Sequence, residues 1–209
     1  MVKKIIKIAI VGKAGSGKDT VYKLIHKNRL NTNSTSMVVK KIAFADPVKE
    51  IAKIMFPFLT KNILYGPSRL RATEIPNSFK DGKPLTVRQL LIDIGTGLGR
   101  SYNEQIWIDN FEQRILSYVK KHSNQYPIDY MIVATDVRFR NEFDIVKNKG
   151  FYMIKLERNN HANINDISET QQDEIKDNEF HFILKNNGTI KELEKKIVDK
   201  LMPAVWNSV

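Results

Sequence analysis

The sequence predicts an α/β fold of three layers, in which a mainly parallel five-stranded sheet is flanked by helices. Five short apolar runs, rich in Ile, Val and Phe, alternate along the chain with segments of helical character. These runs do not alternate strictly between apolar and polar residues, which is typical of strands buried on both faces of a parallel sheet. The predicted strands are residues 5–11, 38–45, 130–135, 151–156 and 180–184.

The clearest predicted helix lies near the end of the chain. Thr189 and Glu192 have the spacing of a capping box, and they follow the turn-forming residues 186–188 (Asn-Asn-Gly). An apolar stripe at helical spacing then predicts the face that packs in the core. This stripe consists of Ile190, Leu193, Ile197 and Leu201.

Two polar segments interrupt this pattern. Residues 59–85 and 158–179 show little periodicity, and the first of them contains several Gly, Pro, Asn and Asp turn signals. Long irregular segments in compact domains often serve as lids or binding loops. We therefore expect a single domain over residues 1–209, with 59–85 as a lid-like, ligand-binding insertion. Residues 158–179 are expected to form a polar loop, which is either functional or a plain surface loop.

Composition narrows the class of protein. The chain has no cysteine, which excludes disulfides and thiolate metal sites, and no apolar run approaches the roughly 18 residues of a membrane helix. We expect a cytoplasmic protein, with a homodimer left open. The net charge of +11 suits polyanionic small-molecule ligands as well as nucleic acid. The longest basic blocks are pairs, without interleaved aromatic residues, so a nucleic-acid groove is disfavoured.

The most informative stretch is glycine-rich and joins the first predicted strand to a helix that includes residues 22–26. It consists of Gly12, Lys13, Ala14, Gly15, Ser16, Gly17, Lys18, Asp19 and Thr20. Glycines allow a tight curl whose backbone N–H groups face inward, and the helix N-terminus adds partial positive charge. Lys18 stands where a lysine reaches the β- and γ-phosphates of a nucleotide. The stretch therefore predicts a P-loop that binds a nucleoside triphosphate.

The residue after Lys18 is Asp19, where most P-loops have Ser or Thr, and the hydroxyl comes at Thr20. In many P-loop proteins the residue after the lysine ligates Mg²⁺. Because this cation prefers carboxylate oxygen, Asp19 is a candidate metal ligand. The alternative is that Asp19 only complements the helix dipole.

Arginines in predicted loops and at strand ends are candidates for holding a second phosphorylated substrate, because a guanidinium donates to two phosphate oxygens at once. They are Arg69, Arg71, Arg88, Arg100, Arg138 and Arg140. Asp136 follows the predicted strand 130–135, so we expect it at the strand end where α/β sheets bind ligands. There it would hold Mg²⁺, clamp Arg138 or a sugar hydroxyl, or cap the next helix.

Several motifs, in the same order over most of the chain, resemble the bacteriophage-type deoxynucleoside monophosphate kinases. They are Gly-Lys-Asp-Thr at 17–20, Phe-Ala-Asp-Pro-Val-Lys at 44–49, Tyr-Gly-Pro-Ser-Arg-Leu-Arg at 65–71, Thr-Val-Arg-Gln-Leu-Leu at 86–91 with Ile-Gly-Thr at 94–96 and Trp107, Asp-Val-Arg-Phe-Arg-Asn-Glu at 136–142, and Asn-Asn-Gly at 186–188 with Leu193. The 65–71 motif selects Arg71 over Arg69.

This resemblance implies a three-layer P-loop kinase fold and transfer of the ATP γ-phosphoryl group to the 5′-phosphate of a deoxynucleoside monophosphate, with Mg²⁺. Residues 12–20 would bind ATP, and Lys18, Arg88 and Arg138 would be catalytic. The acceptor nucleotide would be bound by Lys49, Arg71, Arg88, Gly95, Thr96, Trp107, Asp136 and Arg138. Trp107 would offer a flat face to the base, although a place in the core is the alternative.

Two other functions remain open at this point. One is a P-loop kinase of another phosphorylated metabolite, such as phosphomevalonate or dephospho-coenzyme A. The other, from a different class, is a nucleic-acid-dependent P-loop ATPase or switch protein, which would agree with the basic charge.

Overall fold

The computed structural model describes residues 4–29, 37–122, 129–159 and 172–208. Backbone contacts divide the chain into two compact units. We call Met1–Ala43 together with Glu112–Val209 the loop unit, and Phe44–Phe111 the inserted unit. The single domain expected over residues 1–209 stays a prediction. Residues 160–171 of the predicted polar loop 158–179 lie outside the described residues.

The loop unit is built on a parallel sheet, as predicted. Its strands are β1 (Ile5–Val11), β2 (Met37–Lys41), β5 (Asp129–Val137), β6 (Tyr152–Glu157) and β7 (Phe182–Lys185). They run in the order β2-β5-β1-β6-β7, and all neighbours pair in parallel. The predicted strand 38–45 is wrong over its last four residues. The chain turns there into helix α2, which begins at Asp46 with Pro47 in its first turn.

Helices cover both faces of this sheet, which confirms the predicted layering. Helix α1 (Lys18–Lys27) and the C-terminal helices α7 (Ile190–Lys196) and α8 (Met202–Asn207) share one core cluster with alternate residues of β1 and with Met131 of β5. The preceding residue on β5, Tyr130, faces the other way. Its hydroxyl donates to the His122 carbonyl of α5 (Ile106–His122) at 2.6 Å. Helix α6 (Arg140–Asn148) buries Phe143 and Val146.

The predicted capping box of the last helical region is confirmed. Thr189 Oγ1 accepts from the Glu192 N–H at 3.2 Å, and Glu192 Oε2 accepts from the Thr189 N–H at 2.7 Å. The buried stripe consists of Leu193, Ile197, Leu201 and Val205. The prediction for Ile190 is wrong, since its side chain is 66% exposed. Burial repeats every four residues from Leu193 onward, and Ile190 lies one position off that series.

The inserted unit has its own elements and core. They are α2 (Asp46–Met55), α3 (Lys61–Tyr65), a 3₁₀ helix (Ser68–Ala72), β3 (Glu74–Lys80), β4 (Lys83–Thr86), α4 (Val87–Ile92), a π-helix (Asp93–Arg100) and the first residues of α5. Its core holds Val48, Ala52, Leu59, Leu64, Ile75, Val87, Leu90, Ile94 and Trp107. The rings of Phe44 and Phe111 stack with centroids 4.1 Å apart.

The prediction that residues 59–85 are irregular is wrong. Strands β3 and β4 form an antiparallel hairpin within them. Asp81 and Gly82 connect the strands, both with positive φ (51° and 74°), which is the two-residue turn that suits the twist of a hairpin. The turn signals in this segment therefore mark a hairpin, whereas its lid-like role stays a prediction. None of the helices described here combines the length and apolar character needed to cross a bilayer.

Candidate active site

The predicted P-loop connects β1 to α1 in a tightly curled form. Val11 ends the strand and Lys18 begins the helix. Gly15 (φ 78°) and Gly17 (φ 101°) both adopt the left-handed conformation that favours glycine. The Ser16 N–H donates to the Lys13 carbonyl at 3.1 Å, which closes a turn within the loop. This is the backbone geometry from which N–H groups form an anion-binding nest at a helix N-terminus.

Lys18 lies against this loop. Its ammonium group donates to the carbonyls of Gly12 and Lys13, the latter at 2.9 Å. Two backbone acceptors therefore hold a fixed positive charge over the start of the loop. A cation in this position can interact with the terminal phosphates of a nucleotide bound by the nest.

A buried asparagine at the end of the edge strand β7 supports the loop. Asn186, which directly follows β7, is 9% exposed, and its side-chain amide donates to the Ser16 carbonyl at 2.7 Å. Its backbone N–H donates to the Glu157 carbonyl at 2.7 Å. A Cβ atom on Gly17 would lie 2.6 Å from Asn186 Nδ2. The sequence shows residues 186–188 only as a turn motif, so this contact was not predicted.

Asp19, a predicted Mg²⁺ ligand, forms an ion pair with Lys41 at the end of β2. Its side chain is 69% exposed. The Lys41 ammonium also lies 5.9 Å from the Tyr22 ring centroid. The carboxylate of Asp19 is thus bound to a cation of this chain, and its role in metal binding stays a prediction.

The C-terminal end of β5 lies beside the start of the P-loop. Val137 pairs with Val11, the last residue before the P-loop. Its two neighbours, Asp136 and Arg138, therefore lie beside the start of the loop. Glu142, 3% exposed, fixes the turn that follows: its Oε2 accepts from the backbone N–H groups of Arg138 at 2.8 Å and Phe139 at 3.1 Å. Parallel sheets bind ligands at this edge. The structure therefore brings Asp136 and Arg138 to the P-loop, as predicted, and adds Glu142 as a support.

A cleft of about 420 Å³ lies on the β6 side of the P-loop. It is lined by Val11, Gly12, Lys13, Lys155, Leu156, Glu157, Arg158, Asn159, Gln172, Asp173, Ile175 and Phe180. Arg158 Nη1 donates to the Gly15 carbonyl at 3.3 Å, so this guanidinium reaches the tip of the loop. Lys13 forms an ion pair with Asp173 at 2.8 Å. Arg158 was not among the predicted residues, because its segment carries no motif.

Lys155 contributes a further charge to this cleft. Burial by itself lowers the pKa of its ammonium group, but hydrogen bonds to Asp177 and Glu157 outweigh burial, and the pKa is raised. The distance from Lys155 Nζ to Glu157 Oε1 is 3.2 Å. Lys155 is therefore a permanent cation whose charge is balanced within the cleft wall.

Three of the predicted acceptor-binding cations lie in the inserted unit. The Lys49 ammonium lies 4.8 Å from the Tyr65 ring centroid and 3.9 Å from an Asp46 carboxylate oxygen. Arg88 donates to the Ser68 carbonyl at 3.0 Å, and Ser68 begins the 3₁₀ helix that carries Arg71. Arg88 therefore lies at the segment that bears Arg71.

Trp107, Gly95 and Thr96 form the remaining predicted group. The Trp107 indole N–H donates to the Gly95 carbonyl at 2.7 Å, and the side chain is only 6% exposed. A Cβ atom on Gly99 would overlap the indole ring. Trp107 is thus a core residue that fixes the backbone at Gly95, next to the exposed Thr96. A stacking contact between Trp107 and a base stays a prediction.

Comparison with known proteins identifies the family. The family model for deoxynucleotide monophosphate kinase matches residues 61–197, about two thirds of the chain. A protein of Acanthamoeba polyphaga mimivirus, named "Putative deoxynucleotide monophosphate kinase", is 31% identical over 199 residues, which cover 91% of this chain and 93% of that protein. The chain belongs to the deoxynucleotide monophosphate kinase family.

Membership of this family confirms two sequence predictions, a P-loop kinase fold and an ATP-dependent kinase that phosphorylates deoxynucleoside monophosphates. The matched relative is viral, whereas a bacteriophage origin stays a prediction. The dephospho-CoA kinase from Campylobacter jejuni is also similar, with a TM-score of 0.44 and 17% identity over 97% of each chain. A likeness of that degree carries no conclusion about substrate.

The described part of this kinase has no cluster of three or more His, Cys, Asp or Glu residues that could hold a metal ion. Kinases commonly bind Mg²⁺ through substrate phosphates and only one or two carboxylates. Asp136, which lies at the end of β5 beside the P-loop, has the chemistry for such a shared site. The residues present therefore fit a Mg²⁺ ion that is bound together with the nucleotide.

Proposed function

We propose that the P-loop of this kinase holds the donor ATP and that Arg138 takes part in holding the acceptor deoxynucleoside monophosphate. The placement of the Lys18 ammonium on the Gly12 and Lys13 carbonyls supports the donor assignment most directly. An acceptor phosphate oxygen attacks the γ-phosphorus, and the bond from that phosphorus to the β-phosphate oxygen breaks. The products are ADP and the deoxynucleoside diphosphate.

On the donor side, the P-loop N–H groups, Lys18 and Thr20 would contact phosphate oxygens. Arg158 adds a guanidinium that donates to the tip of the loop at Gly15. A guanidinium in this position can neutralise charge on the transferred group. We assign Arg158 to the donor side because its observed contact is with the loop itself.

On the acceptor side, Arg138 would bind the 5′-phosphate of the monophosphate. The backbone N–H of Arg138 donates to Glu142, which fixes the position at the end of β5 from which the Arg138 side chain extends. Lys49, Arg71 and Arg88 are proposed as acceptor ligands because they match the motifs of the family. Arginine forks suit a phosphate that must be held in line with the donor.

Mg²⁺ would be held by the ATP phosphates together with Asp136. We favour Asp136 over Asp19 because Asp136 lies at the end of β5 beside the start of the P-loop, whereas the Asp19 side chain is 69% exposed. When bound, the ion neutralises negative charge on the phosphates. No side chain needs to act as a general base, since an acceptor phosphate oxygen is already a competent nucleophile. The contribution of the protein is alignment and charge stabilisation.

The direct test is an ADP-release assay on the purified chain with each deoxynucleoside monophosphate and its ribose counterpart, with and without Mg²⁺. Dephospho-CoA and phosphomevalonate serve as alternative acceptors, and Lys18→Ala as the inactive control. We expect Mg²⁺-dependent turnover with one or more deoxynucleoside monophosphates. Turnover confined to dephospho-CoA or phosphomevalonate would contradict the assignment.

The same assay includes DNA and RNA without an acceptor. A nucleic-acid-dependent ATPase would release ADP under those conditions, with an affinity that falls steeply as salt rises. We expect no such stimulation, because the proposed ligands are small nucleotides. Both substrates belong to the cytoplasmic nucleotide pool, so we assign the enzyme to the cytoplasm. Sedimentation equilibrium would decide between a monomer and a homodimer.

A further inference from the structure

Asn186 joins three parts of the loop unit at one buried point. It follows β7, its backbone N–H donates to the carbonyl of Glu157 at the end of β6, and its side-chain amide donates to the Ser16 carbonyl inside the P-loop. The amide-to-carbonyl distance is 2.7 Å, and both residues are buried. A hydrogen bond made away from water is costly to lose, because a buried carbonyl without a donor retains the cost of having left water.

This bond determines how one peptide of the P-loop is oriented. A trans peptide is planar, with its N–H pointing opposite to its carbonyl. Because Asn186 holds the Ser16 carbonyl, the N–H of the next residue, Gly17, points away from Asn186. Gly17 has φ of 101°, a conformation that a glycine can also leave easily when nothing holds it. The bond thus selects one of several orientations open to this peptide.

We propose that Asn186 is a positioning residue for phosphate binding, which fixes the Ser16–Gly17 peptide so that the Gly17 N–H is available to a phosphate oxygen. The inference rests on the proposed function in assigning the P-loop to the donor nucleotide. Asn186 itself acts through the backbone of the loop. Its action therefore appears in nucleotide affinity and in the environment of the Gly17 amide.

The position of Gly17 agrees with this role. A Cβ atom there would lie 2.6 Å from Asn186 Nδ2, which is too close for any residue with a side chain unless the amide moved. At Gly15, by contrast, an added Cβ atom would meet nothing within 4 Å. Of the two left-handed glycines of the P-loop, only Gly17 thus lies close to the Asn186 amide.

The test uses two substitutions of similar size and one matched control. Asn186→Leu fills the space but cannot donate a hydrogen bond, and Asn186→Asp replaces the amide donor by a carboxyl group. The control is Asn28→Ala. The Asn28 amide also donates to a backbone carbonyl, that of Leu24 at 2.9 Å, but it lies at the opposite end of α1 from the P-loop.

The first readout is ADP affinity by calorimetry, with ADP as the probe and thermal unfolding measured alongside. We expect Asn186→Leu to weaken ADP binding about tenfold or more, which corresponds to about 1.4 kcal/mol. Asn28→Ala should lower the melting temperature but change the ADP dissociation constant less than about twofold. An ADP affinity for folded Asn186→Leu within about twofold of the wild type would overturn the proposal.

The second readout is the pH dependence of Asn186→Asp, which also decides the matter where the leucine variant does not fold. An ionised carboxylate cannot donate to the Ser16 carbonyl, whereas a protonated carboxyl group can. Burial raises the pKa of such a group, so protonation occurs nearer to neutral pH. The ADP affinity of the variant relative to the wild type should rise as pH falls from about 8 to about 5.5. A ratio that stays constant would show that the donated hydrogen bond is not the cause.

A third readout separates this inference from the proposed function. The amide signal of Gly17 in the ¹⁵N–¹H spectrum of the nucleotide-free chain should shift in Asn186→Leu and stay in place in Asn28→Ala. A wild-type chain that binds ADP but phosphorylates no deoxynucleoside monophosphate would refute the proposed function alone. An unchanged Gly17 signal in Asn186→Leu would refute the role of Asn186 alone.

Discussion

Arg140 holds Glu179 through two parallel hydrogen bonds, from Nη1 to Oε1 at 2.9 Å and from Nη2 to Oε2 at 2.8 Å. Arg140 Nε also donates to Asp144 at 3.0 Å. This pair ties α6 to the 3₁₀ helix Asp177–Glu179 that precedes β7. The hydrogen bond from Arg140 lowers the pKa of Glu179 to about 2, although partial burial opposes the shift.

The pair predicts an acid-dependent loss of stability. The pKa of Glu179 is lower in the folded state than in the unfolded state. The contribution of Glu179 to the free energy of unfolding is therefore fully present above about pH 5 and is lost as the pH falls toward 2. We expect Arg140→Ala to lower the free energy of unfolding by about 1–2 kcal/mol at pH 7 and by a smaller amount at pH 3, which lies between the pKa values of Glu179 in the unfolded and folded states. Urea unfolding at both pH values measures this, with exposed Arg69→Ala as the control. A loss of equal size at both pH values would show that Glu179 is not the partner that matters.

Replacement of Lys18 tests the cation of the P-loop. Lys18→Ala removes the ammonium group that lies on the Gly12 and Lys13 carbonyls. We expect kcat to fall about a hundredfold or more, as when a group that stabilises transition-state charge is removed. Lys23→Ala, an exposed lysine on the same helix, should retain activity. Folded Lys18→Ala with unchanged phosphotransfer would be incompatible with the donor assignment.

Two arginines on opposite sides of the P-loop should have separable effects. Arg138 lies beyond β5 and Arg158 beyond β6. Arg138→Ala should raise the KM of the acceptor about tenfold or lower kcat, with ATP affinity nearly unchanged, because one charge-assisted contact is worth about 1.5–3 kcal/mol. Arg158→Ala should weaken ATP binding instead. Steady-state kinetics with each substrate varied in turn distinguish them, and the reverse pattern would exchange the two assignments.

The two left-handed glycines of the P-loop should differ in their tolerance of a side chain. Gly15→Ala adds backbone strain alone, about 1–2 kcal/mol, because an added Cβ atom meets nothing within 4 Å. Gly17→Ala adds similar strain and a close contact with the Asn186 amide. We therefore expect the larger loss of ADP affinity in Gly17→Ala. Calorimetric titration of both variants with ADP is the measurement, and equal losses would argue against a rigid Asn186 contact.

The π-helix of the inserted unit offers a similar comparison. An alanine at Gly99 would overlap the Trp107 indole, whereas an alanine at Gly97 meets nothing within 4 Å. Gly99→Ala should cost about 1–3 kcal/mol of stability, which lowers the melting temperature by roughly 2–4 °C per kcal/mol in a chain of this length. Gly97→Ala should be neutral or slightly stabilising. Equal melting temperatures would mean that the indole ring moves freely, contrary to a core role for Trp107.

Structural features that depend only on residues close together in the sequence could be predicted from sequence patterns. The P-loop, the strand β1 and the capping box at Thr189 each lie within a few residues, so local spacing was sufficient to identify them. The hairpin in residues 59–85 was misread because turn residues mark both loops and hairpins. The pairing of the two strands, for example of Phe79 with Pro84 and of Lys80 with Lys83, distinguishes a hairpin from a loop.

Contacts between distant parts of the chain could not be predicted in this way. Ser16 and Asn186 are 170 positions apart, and only the sheet order brings β7 close enough for the contact. The contact of Arg158 with the P-loop could not be predicted either. Arg158 reaches the loop because it directly follows β6, and no sequence motif marks it. Trp107 shows a different difficulty: its motif predicts a ligand contact, which stays a prediction, and its 6% exposure adds a core role that the motif does not reveal.

The central position of β1 has a consequence for biosynthesis. Its two neighbours in the sheet, β5 and β6, begin at Asp129 and Tyr152. At roughly 5–20 residues per second, a ribosome needs on the order of ten seconds to make the intervening chain. During that time an apolar strand lacks its partners and is a target for chaperones. The P-loop acquires its Asn186 support later still, so we expect a nascent chain to reach its full affinity for nucleotide only after β7 has left the ribosome.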